Sequence, residues 1–414
     1  MKILVIGSGG REHALCWKLA HASGVEVFAA PGNPGMALVA TCVPVAAGSS
    51  YVEIAETVQA DLTVVGPEAP LVAGVVDEFR ARGLKIVGPD RQAAQLEGSK
   101  VFAKNFFVER SIPTAEFVIA ENAADAHRAM HRFGLPVVLK ADGLAAGKGV
   151  VVAHDAAAAG EALAALRGPL VIEEFLRGEE VSFIALCDGR DVVPLAPAQD
   201  HKAVFDGDRG PNTGGMGAYC DGAILTEAQT QEILDRVIHP AVDAMRFTGF
   251  LYAGLMMTAY GPKVLEFNVR LGDPETQPLM DRLKSDFVPA LMAAAEGRLA
   301  GTKLEWQPGP SVCVVMASGG YPGEYETGKP ITGVAAAEAT GATVFQAGTR
   351  VLHGRLETAG GRVLGVTAGG ADLPAAIDGA YAGVGKIEFA GMHYRKDIGR
   401  RALERYNKSN ISGT

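Results

Sequence analysis

Lys2-Ile3-Leu4-Val5-Ile6-Gly7-Ser8-Gly9-Gly10-Arg11-Glu12-His13 follows the initial methionine. An aliphatic run breaks at a glycine turn, and helical periodicity takes over across residues 11–20. That is the first half of a βα unit. Outward from it the pattern repeats: apolar runs at 25–30, 62–66 and 85–88 each stop at Gly or Pro. Alternating β and α units of this kind predict a parallel, doubly wound sheet. Ligands bind such sheets beyond the carboxyl ends of the strands, which here carry residues 7–13, 31–35 and 66–71.

The glycine cluster begins like a dinucleotide fingerprint but has Glu12 in the third glycine position. The second strand ends in Ala29-Ala30-Pro31, with no ribose-binding acid. A nicotinamide dinucleotide is therefore not expected. A glycine turn opening a helix still offers free N–H groups and a dipole to an anion. The same string also suits a bare βα turn.

Composition sets further bounds. The 414 residues, 48% hydrophobic and 21% charged, suggest two to four soluble domains. A net charge of −9 argues against a general nucleic-acid binder but leaves room for local anion sites. Cys16, Cys42, Cys187, Cys220 and Cys313 are scattered and never form CxxC, so reduced thiols in a cytoplasmic protein are expected. The first residues lack a cleavable leader pattern. No apolar run reaches the roughly 18 residues of a membrane span.

Three units emerge, at 1–100, 101–305 and 306–414. The second is α+β with antiparallel hairpins, and the third has short strands. Its tail predicts a helix near 397–407 with Asp397 as N-cap. No uncommitted amphipathic seam stands out, so a monomer is expected.

The chemistry concentrates in the second unit. Lys140-Ala141-Asp142-Gly143-Leu144-Ala145-Ala146-Gly147-Lys148-Gly149 is not a Walker A motif, because its glycine spacing differs and Gly149 stands where Ser or Thr is needed. Two lysines bracketing a glycine loop suit a flap over a triphosphate, or an ordinary glycine hairpin with solvated lysines. The run Ile172-Glu173-Glu174-Phe175-Leu176-Arg177-Gly178-Glu179-Glu180 ends a strand in a connector able to pair with adenine, with an acid beyond it for ribose. In Glu266-Phe267-Asn268-Val269-Arg270 alternate residues share a strand face. Glu266, Asn268 and Arg270 are expected to point together, and Leu265, Phe267 and Val269 into the core. A carboxylate plus an amide oxygen suits Mg²⁺, and an arginine beside them suits a transferred phosphate or a carboxylate. No acid lies in 253–259, the strand expected to supply a second carboxylate ligand. The loop of residues 199–219 is too long to be idle. Its donors Lys202, Asn212, Thr213, Gly214 and Gly215 suit a small polar substrate, and His201 reads as a positioning or structural residue, not a catalytic base.

Taken in order, these strings resemble the phosphoribosylamine–glycine ligase family of ATP-grasp enzymes. They include Gly9-Gly10-Arg11-Glu12-His13, Pro31-Gly32-Asn33-Pro34-Gly35, Val65-Gly66-Pro67-Glu68 and the 140–150 loop. Gly210-Pro211-Asn212-Thr213-Gly214-Gly215-Met216-Gly217, the run 266–277 and Tyr394-Arg395-Lys396-Asp397-Ile398-Gly399 complete the set, which spans the chain. One departure is Ala203, where the family usually has arginine.

The resemblance implies an ATP-grasp module with a mobile subdomain at about 115–187. It implies Mg²⁺ or Mn²⁺ as cofactor, and joining of glycine to 5-phosphoribosylamine through glycyl phosphate in purine synthesis. It assigns Lys104, Lys140, Gly147, Lys148 and Gly149 to ATP phosphates, Glu173, Phe175 and Leu176 to adenine, and Glu180 to ribose. Glu266 and Asn268 would hold metal, while Arg270 and Lys148 would be catalytic. Gly10, Arg11, Glu12, His13, Gly32, Asn33, Pro34, Lys202, Asp208, Asn212, Thr213, Gly214, Gly215, Met216, Arg270 and Asp273 would bind the substrates. The alternatives are an ATP-grasp ligase for another carboxylate or amine, a nucleotide sensor and, least favoured, an oxidoreductase.

Overall fold

The computed structural model describes residues 1–46, 48–144 and 149–403. Its first sheet holds β1 (Lys2–Gly7), β2 (Glu26–Pro31), β3 (Thr41–Cys42), β4 (Leu62–Val65) and β5 (Ile86–Val87), all parallel, in the order β3-β2-β1-β4-β5. Ile3, Leu4, Val5 and Ile6 are fully buried, as a parallel strand covered on both faces requires. Ile6 stands opposite both Ala30 and Val65, so the glycine turns lie level at one sheet edge.

That edge explains Glu12. A Cβ added at Gly66 would meet Glu12 Oε1 at 2.1 Å. The Gly9 N–H donates to Glu12 Oε2 at 2.6 Å. The carboxylate fills the place where a dinucleotide fold would bring in pyrophosphate.

A small antiparallel sheet follows. It comprises β6 (Phe117–Ala120), β7 (Val137–Ala141), β8 (Val150–Ala153) and β9 (Leu170–Glu174), in the order β6-β9-β7-β8. With the helices Ala123–Phe133 and Ala156–Ala165 it encloses its own core around Val137, Leu139 and Ile172. Its core is separate from those of the two larger sheets.

The large sheet contains β10 (Glu179–Asp188), β11 (Val192–Pro194), β12 (Ala198–Asp200) and β15 (Gly217–Cys220); β13 (Ala203–Phe205) and β14 (Arg209–Asn212) form a separate hairpin. The sheet continues through β16 (Thr248–Thr258), β17 (Gly261–Asn268) and β18 (Ser311–Ala317) to β19 (Thr343–Gln346) and β22 (Arg362–Gly369). β20 (Thr349–Leu352) and β21 (Arg355–Thr358) make a second hairpin. Because β15 pairs with β18, the strands of the third unit extend the sheet of the second.

Two expectations need correction. The register slips between Gly254 and Leu255 of β16, leaving Leu265 of β17 without a partner in β16. This bulge re-aims one side chain: Phe267 and Val269 enter the main core, but half-buried Leu265 packs with Ala115, Leu176 and Met256. The second concerns Asp397. Its carboxylate accepts from Arg395 and from the Gly207 N–H, while Arg400 bonds only its backbone carbonyl. Helix begins at residue 400, and residues 404–407 of the expected helix lie outside the described residues.

The first sheet touches the large one at backbone distance. Gly249 has φ +87°, and a Cβ there would lie 2.6 Å from Gly88 Cα. Gly249→Ala is expected to destabilise the protein by about 2–4 kcal/mol, from overpacking plus left-handed strain. An unchanged urea midpoint would show that this contact relaxes freely. No helix among the described residues is long and apolar enough to cross a membrane.

Candidate active site

A cavity of about 630 Å³ opens between the small sheet, β16–β17, the first unit and the hairpin β20–β21 side of the third unit, where Tyr321 and Arg362 reach in. Its polar lining forms three groups.

The first surrounds Glu173, which is buried at the end of β9. Its two oxygens ion-pair Lys104 at 2.9 Å and Lys140 at 3.0 Å. Lys104 also donates to Thr114 Oγ1 at 2.6 Å, and Lys140 to the Leu265 carbonyl at 2.8 Å. Two ammonium groups thus converge from the helix Lys100–Glu109 and from β7. Burial lowers the Lys104 pKa to about 8, although Glu173 opposes the shift. The apolar cluster of Leu176, Met256 and Leu265 lines the same region.

The second group centres on Arg270, just past the end of β17. Its Nη2 donates to Glu97 Oε1 at 2.7 Å and to Asn268 Oδ1 at 3.1 Å. Its Nε lies 3.4 Å from Glu68 Oε2 and has no hydrogen-bond partner among the described residues. Nearby, Arg362 bonds Asp273 Oδ2 at 2.9 Å and the Asp273 carbonyl at 2.6 Å, and also the Gly214 carbonyl. Arg11 and Arg270 both donate to the Leu271 carbonyl, at 3.1 and 3.3 Å.

The third group is a buried relay. Tyr252 and Ser182 donate to Glu275 Oε1 at 2.5 and 3.0 Å. Burial and the nearby Asp200 raise the Glu275 pKa. Lys202 donates to both Asp200 oxygens at 2.9 Å.

Glu266 and Asn268 face the cavity between these groups. No donor among the described residues bonds the Glu266 carboxylate, whose charge acts on Lys100 and Lys202. An unbonded carboxylate beside an amide oxygen fits a hard divalent cation. Among the described residues there is no cluster of three or more His, Cys, Asp or Glu, so such an ion would need further oxygens from its ligand.

Three family models match most of the chain. Residues 1–97 match the phosphoribosylglycinamide synthetase N domain, 98–276 its ATP-grasp (A) domain and 311–401 its C domain. The chain belongs to the phosphoribosylglycinamide synthetase family. It is 51% identical over 426 residues to the phosphoribosylamine–glycine ligase of Pseudomonas aeruginosa, covering 98% of this chain and 99% of that one. The crystal structure of phosphoribosylamine–glycine ligase from Thermotoga maritima superposes with a TM-score of 0.83 at 35% identity, covering 96% of this chain and 100% of that one. Biotin carboxylase from Campylobacter jejuni shares the fold, with a TM-score of 0.71 at 16% identity over 97% of this chain and 95% of that one.

Within this family's fold, the cavity gathers Arg11, Lys104, Lys140, Gly149, Glu173, Phe175, Leu176, Glu180, Lys202, Asn212, Thr213, Gly214, Glu266, Asn268, Arg270 and Asp273. Gly147 and Lys148 lie outside the described residues. The structure places Gly10, Glu12, His13, Gly32, Asn33, Pro34, Asp208, Gly215 and Met216 away from the cavity lining. His13 Nδ1 accepts from the Gln346 N–H at 2.8 Å, and burial lowers its pKa to about 4. Asn33 donates to the carbonyls of Ser8 and Gln346 and accepts from the Met36 N–H. Both join the first unit to β19.

Sequence reasoning missed Glu68, Glu97, Lys100, Asp200, Tyr252, Glu275, Tyr321 and Arg362. Glu68 and Glu275 stood in the quoted strings, and their carboxylates were the available signal. Arg362 and Tyr321 sit among unremarkable residues, and only the shared sheet delivers them.

Proposed function

We propose that the chain is an ATP-dependent ligase that joins glycine to 5-phosphoribosylamine, giving 5-phosphoribosylglycinamide, ADP and phosphate in purine synthesis. One observation carries the reading. A single cavity joins a two-lysine, apolar groove to an arginine-rich pocket, in a chain 51% identical to phosphoribosylamine–glycine ligases over nearly its whole length.

In the first step a glycine carboxylate oxygen attacks the γ-phosphorus of ATP. The bond from that phosphorus to the bridging oxygen breaks, and glycyl phosphate and ADP form. In the second, the amine of phosphoribosylamine attacks the acyl carbon, the carbon–oxygen bond to phosphate breaks, and the amine loses a proton. A carboxylate needs no base to act as nucleophile, so positioning and charge neutralisation do the work.

Lys104 and Lys140 neutralise ATP phosphates, and Glu173, which the resemblance gives to adenine, is buried with both oxygens on these ammonium groups and keeps them aimed before ATP arrives. Lys148, Gly147 and Gly149 are assigned to the same phosphates on sequence alone. The Phe175 and Leu176 backbone takes adenine, packed by Met256, and Glu180 takes ribose. Arg270 holds the glycine carboxylate or glycyl phosphate. Arg11, Lys202, Asn212, Thr213, Gly214 and Asp273 face phosphoribosylamine, with Arg362 beside them. Glu266 and Asn268 would hold Mg²⁺ or Mn²⁺, which supplies neutralisation of phosphate charge. The free thiols of all five cysteines support a cytoplasmic enzyme.

Lys104 gives this scheme a pH signature. Its ammonium is charged below about pH 8 and neutral above it. KM for ATP is therefore expected to rise severalfold between pH 7 and 9. kcat should change less, because bound triphosphate favours the protonated amine. A flat KM profile would remove Lys104 from ATP binding.

ADP release measured with Mg·ATP tests the function as a whole. Release that needs both glycine and freshly generated phosphoribosylamine, with phosphoribosylglycinamide seen by mass spectrometry, is the expected result. Release driven by a different carboxylate or amine would overturn the substrate assignment.

A further inference from the structure

Tyr394-Arg395-Lys396-Asp397-Ile398-Gly399 has no place in the chemistry above and does not line the cavity. Yet Arg395 is fully buried. Its guanidinium grips Asp397 with both prongs, Nε to Oδ1 at 2.8 Å and Nη2 to Oδ2 at 2.7 Å. Its third nitrogen, Nη1, donates to the Ala203 carbonyl at 3.1 Å and to Asp208 Oδ1 at 3.0 Å.

The neighbouring residues repeat the pattern. The Gly207 N–H donates to Asp397 Oδ2 at 2.9 Å, and the Lys396 N–H to Asp206 Oδ1 at 2.8 Å. His393 Nε2 pairs with the Val204 carbonyl at 2.8 Å, and Arg401 also ion-pairs Asp208. Residues 393–401 therefore run along one side of the hairpin β13–β14 and bond nearly every residue from 203 to 208.

That hairpin has no other sheet partner among the described residues, and an isolated two-stranded hairpin is marginal in water. Its turn is forced, with Asp208 at φ 56° and Gly207 at φ 69°. Its base, however, faces the cavity. Lys202 precedes β13 and Asn212 ends β14, and the Thr213 N–H and Oγ1 both donate to the Lys202 carbonyl at 2.8 Å. The tip is held by the third unit, and the base presents three lining side chains. A buried guanidinium adds little net stability against apolar packing, but a multiply bonded one fixes geometry.

We propose that Arg395, acting through Asp208 and Asp397, is a positioning residue that sets Lys202, Asn212 and Thr213 for the ribotide substrate. It rests on the reading of the cavity given above. The consequence is selective: Arg395 governs affinity for the ribotide more than for ATP, because no bond of this network reaches Lys104, Lys140 or Glu173, and its one link to the ATP side is the 3.5 Å ion pair between Lys202 and Glu180.

Arg395→Lys and Asp208→Asn in the full chain test this. Asp208 is half-exposed at the turn, so its variant preserves folding if the arginine variant does not. Calorimetry with phosphoribosylglycinamide reads ribotide affinity directly, and KM for ATP and for glycine are measured alongside. The expected result is about a tenfold weaker Kd for the ribotide in each variant, the loss of one charge-assisted bond network, with KM for glycine unchanged and KM for ATP moved far less than the ribotide Kd. Wild-type ribotide affinity in Asp208→Asn would overturn the proposal, as would equal losses for all three ligands. Absence of ribotide binding by the unaltered protein would instead overturn the functional reading on which the proposal rests.

Discussion

Replacing Glu266 with alanine is expected to lower kcat by about 10²–10³-fold, the scale on which one electrostatic contact to developing charge acts. The side chain is half-buried on β17, and no donor among the described residues bonds its carboxylate, so truncation removes little that holds the fold. Phe267 on the opposite face keeps its core contacts. What is lost is a carboxylate that no cation among the described residues bonds, unlike Glu97, Glu173 and Asp200 in the same cavity, which Arg270 and the lysines hold. Glu266→Gln keeps the shape and removes the charge, so it should fall nearly as far. Both variants should also need higher Mg²⁺ or Mn²⁺ for half-maximal rate, whereas Asn268→Ala, which loses only a neutral oxygen, should shift less. Turnover near the unaltered level in Glu266→Ala, with the thermal midpoint unchanged, would end the metal assignment.

Sequence legibility followed the range of the physics. The buried parallel strands declare themselves because Ile3, Leu4, Val5 and Ile6 must be apolar on both faces. The Glu266–Asn268–Arg270 face declares itself because a strand alternates. What local patterning cannot carry is pairing across hundreds of residues. Glu97 lies 173 residues from Arg270 and bonds it; nothing near Glu97 marks it as more than a helix-terminal acid. The strands of the third unit read as a separate body because short strands do not state their partners, and β18 finds β15. Leu265 alternates correctly in sequence but a bulge turns it toward Met256. His13 and Asn33 look like ligands because they stand on strand-end loops; their hydrogen bonds to β19 could not be foreseen from residues 300 positions earlier.

Arg270→Lys should reduce kcat/KM for glycine by about 10²-fold, through loss of the two-pronged fork and of the position it enforces. Besides the Leu271 carbonyl, Arg270 holds three side chains at once: Glu97, Asn268 and, through charge, Glu68. Glu97 is buried, and its pKa is raised by burial against the pull of Arg270. Glu68 is held below its usual value, burial notwithstanding, by Arg270 and then Arg11. A single ammonium has the charge but not the plane, so it must choose between these carboxylates and a bound glycine carboxylate. The Arg270 Nε, without a hydrogen-bond partner among the described residues, is the donor that lysine cannot reproduce. Stability should fall by only about 1–3 kcal/mol, since the pair is weakened and not broken. The two readouts separate the possible outcomes. A large drop in kcat/KM with a small change in urea midpoint places the fork on the substrate. Wild-type kcat and KM for glycine would place its role in holding Glu97 and Glu68, and the carboxylate of glycine would have to be met by Arg11 or Arg362.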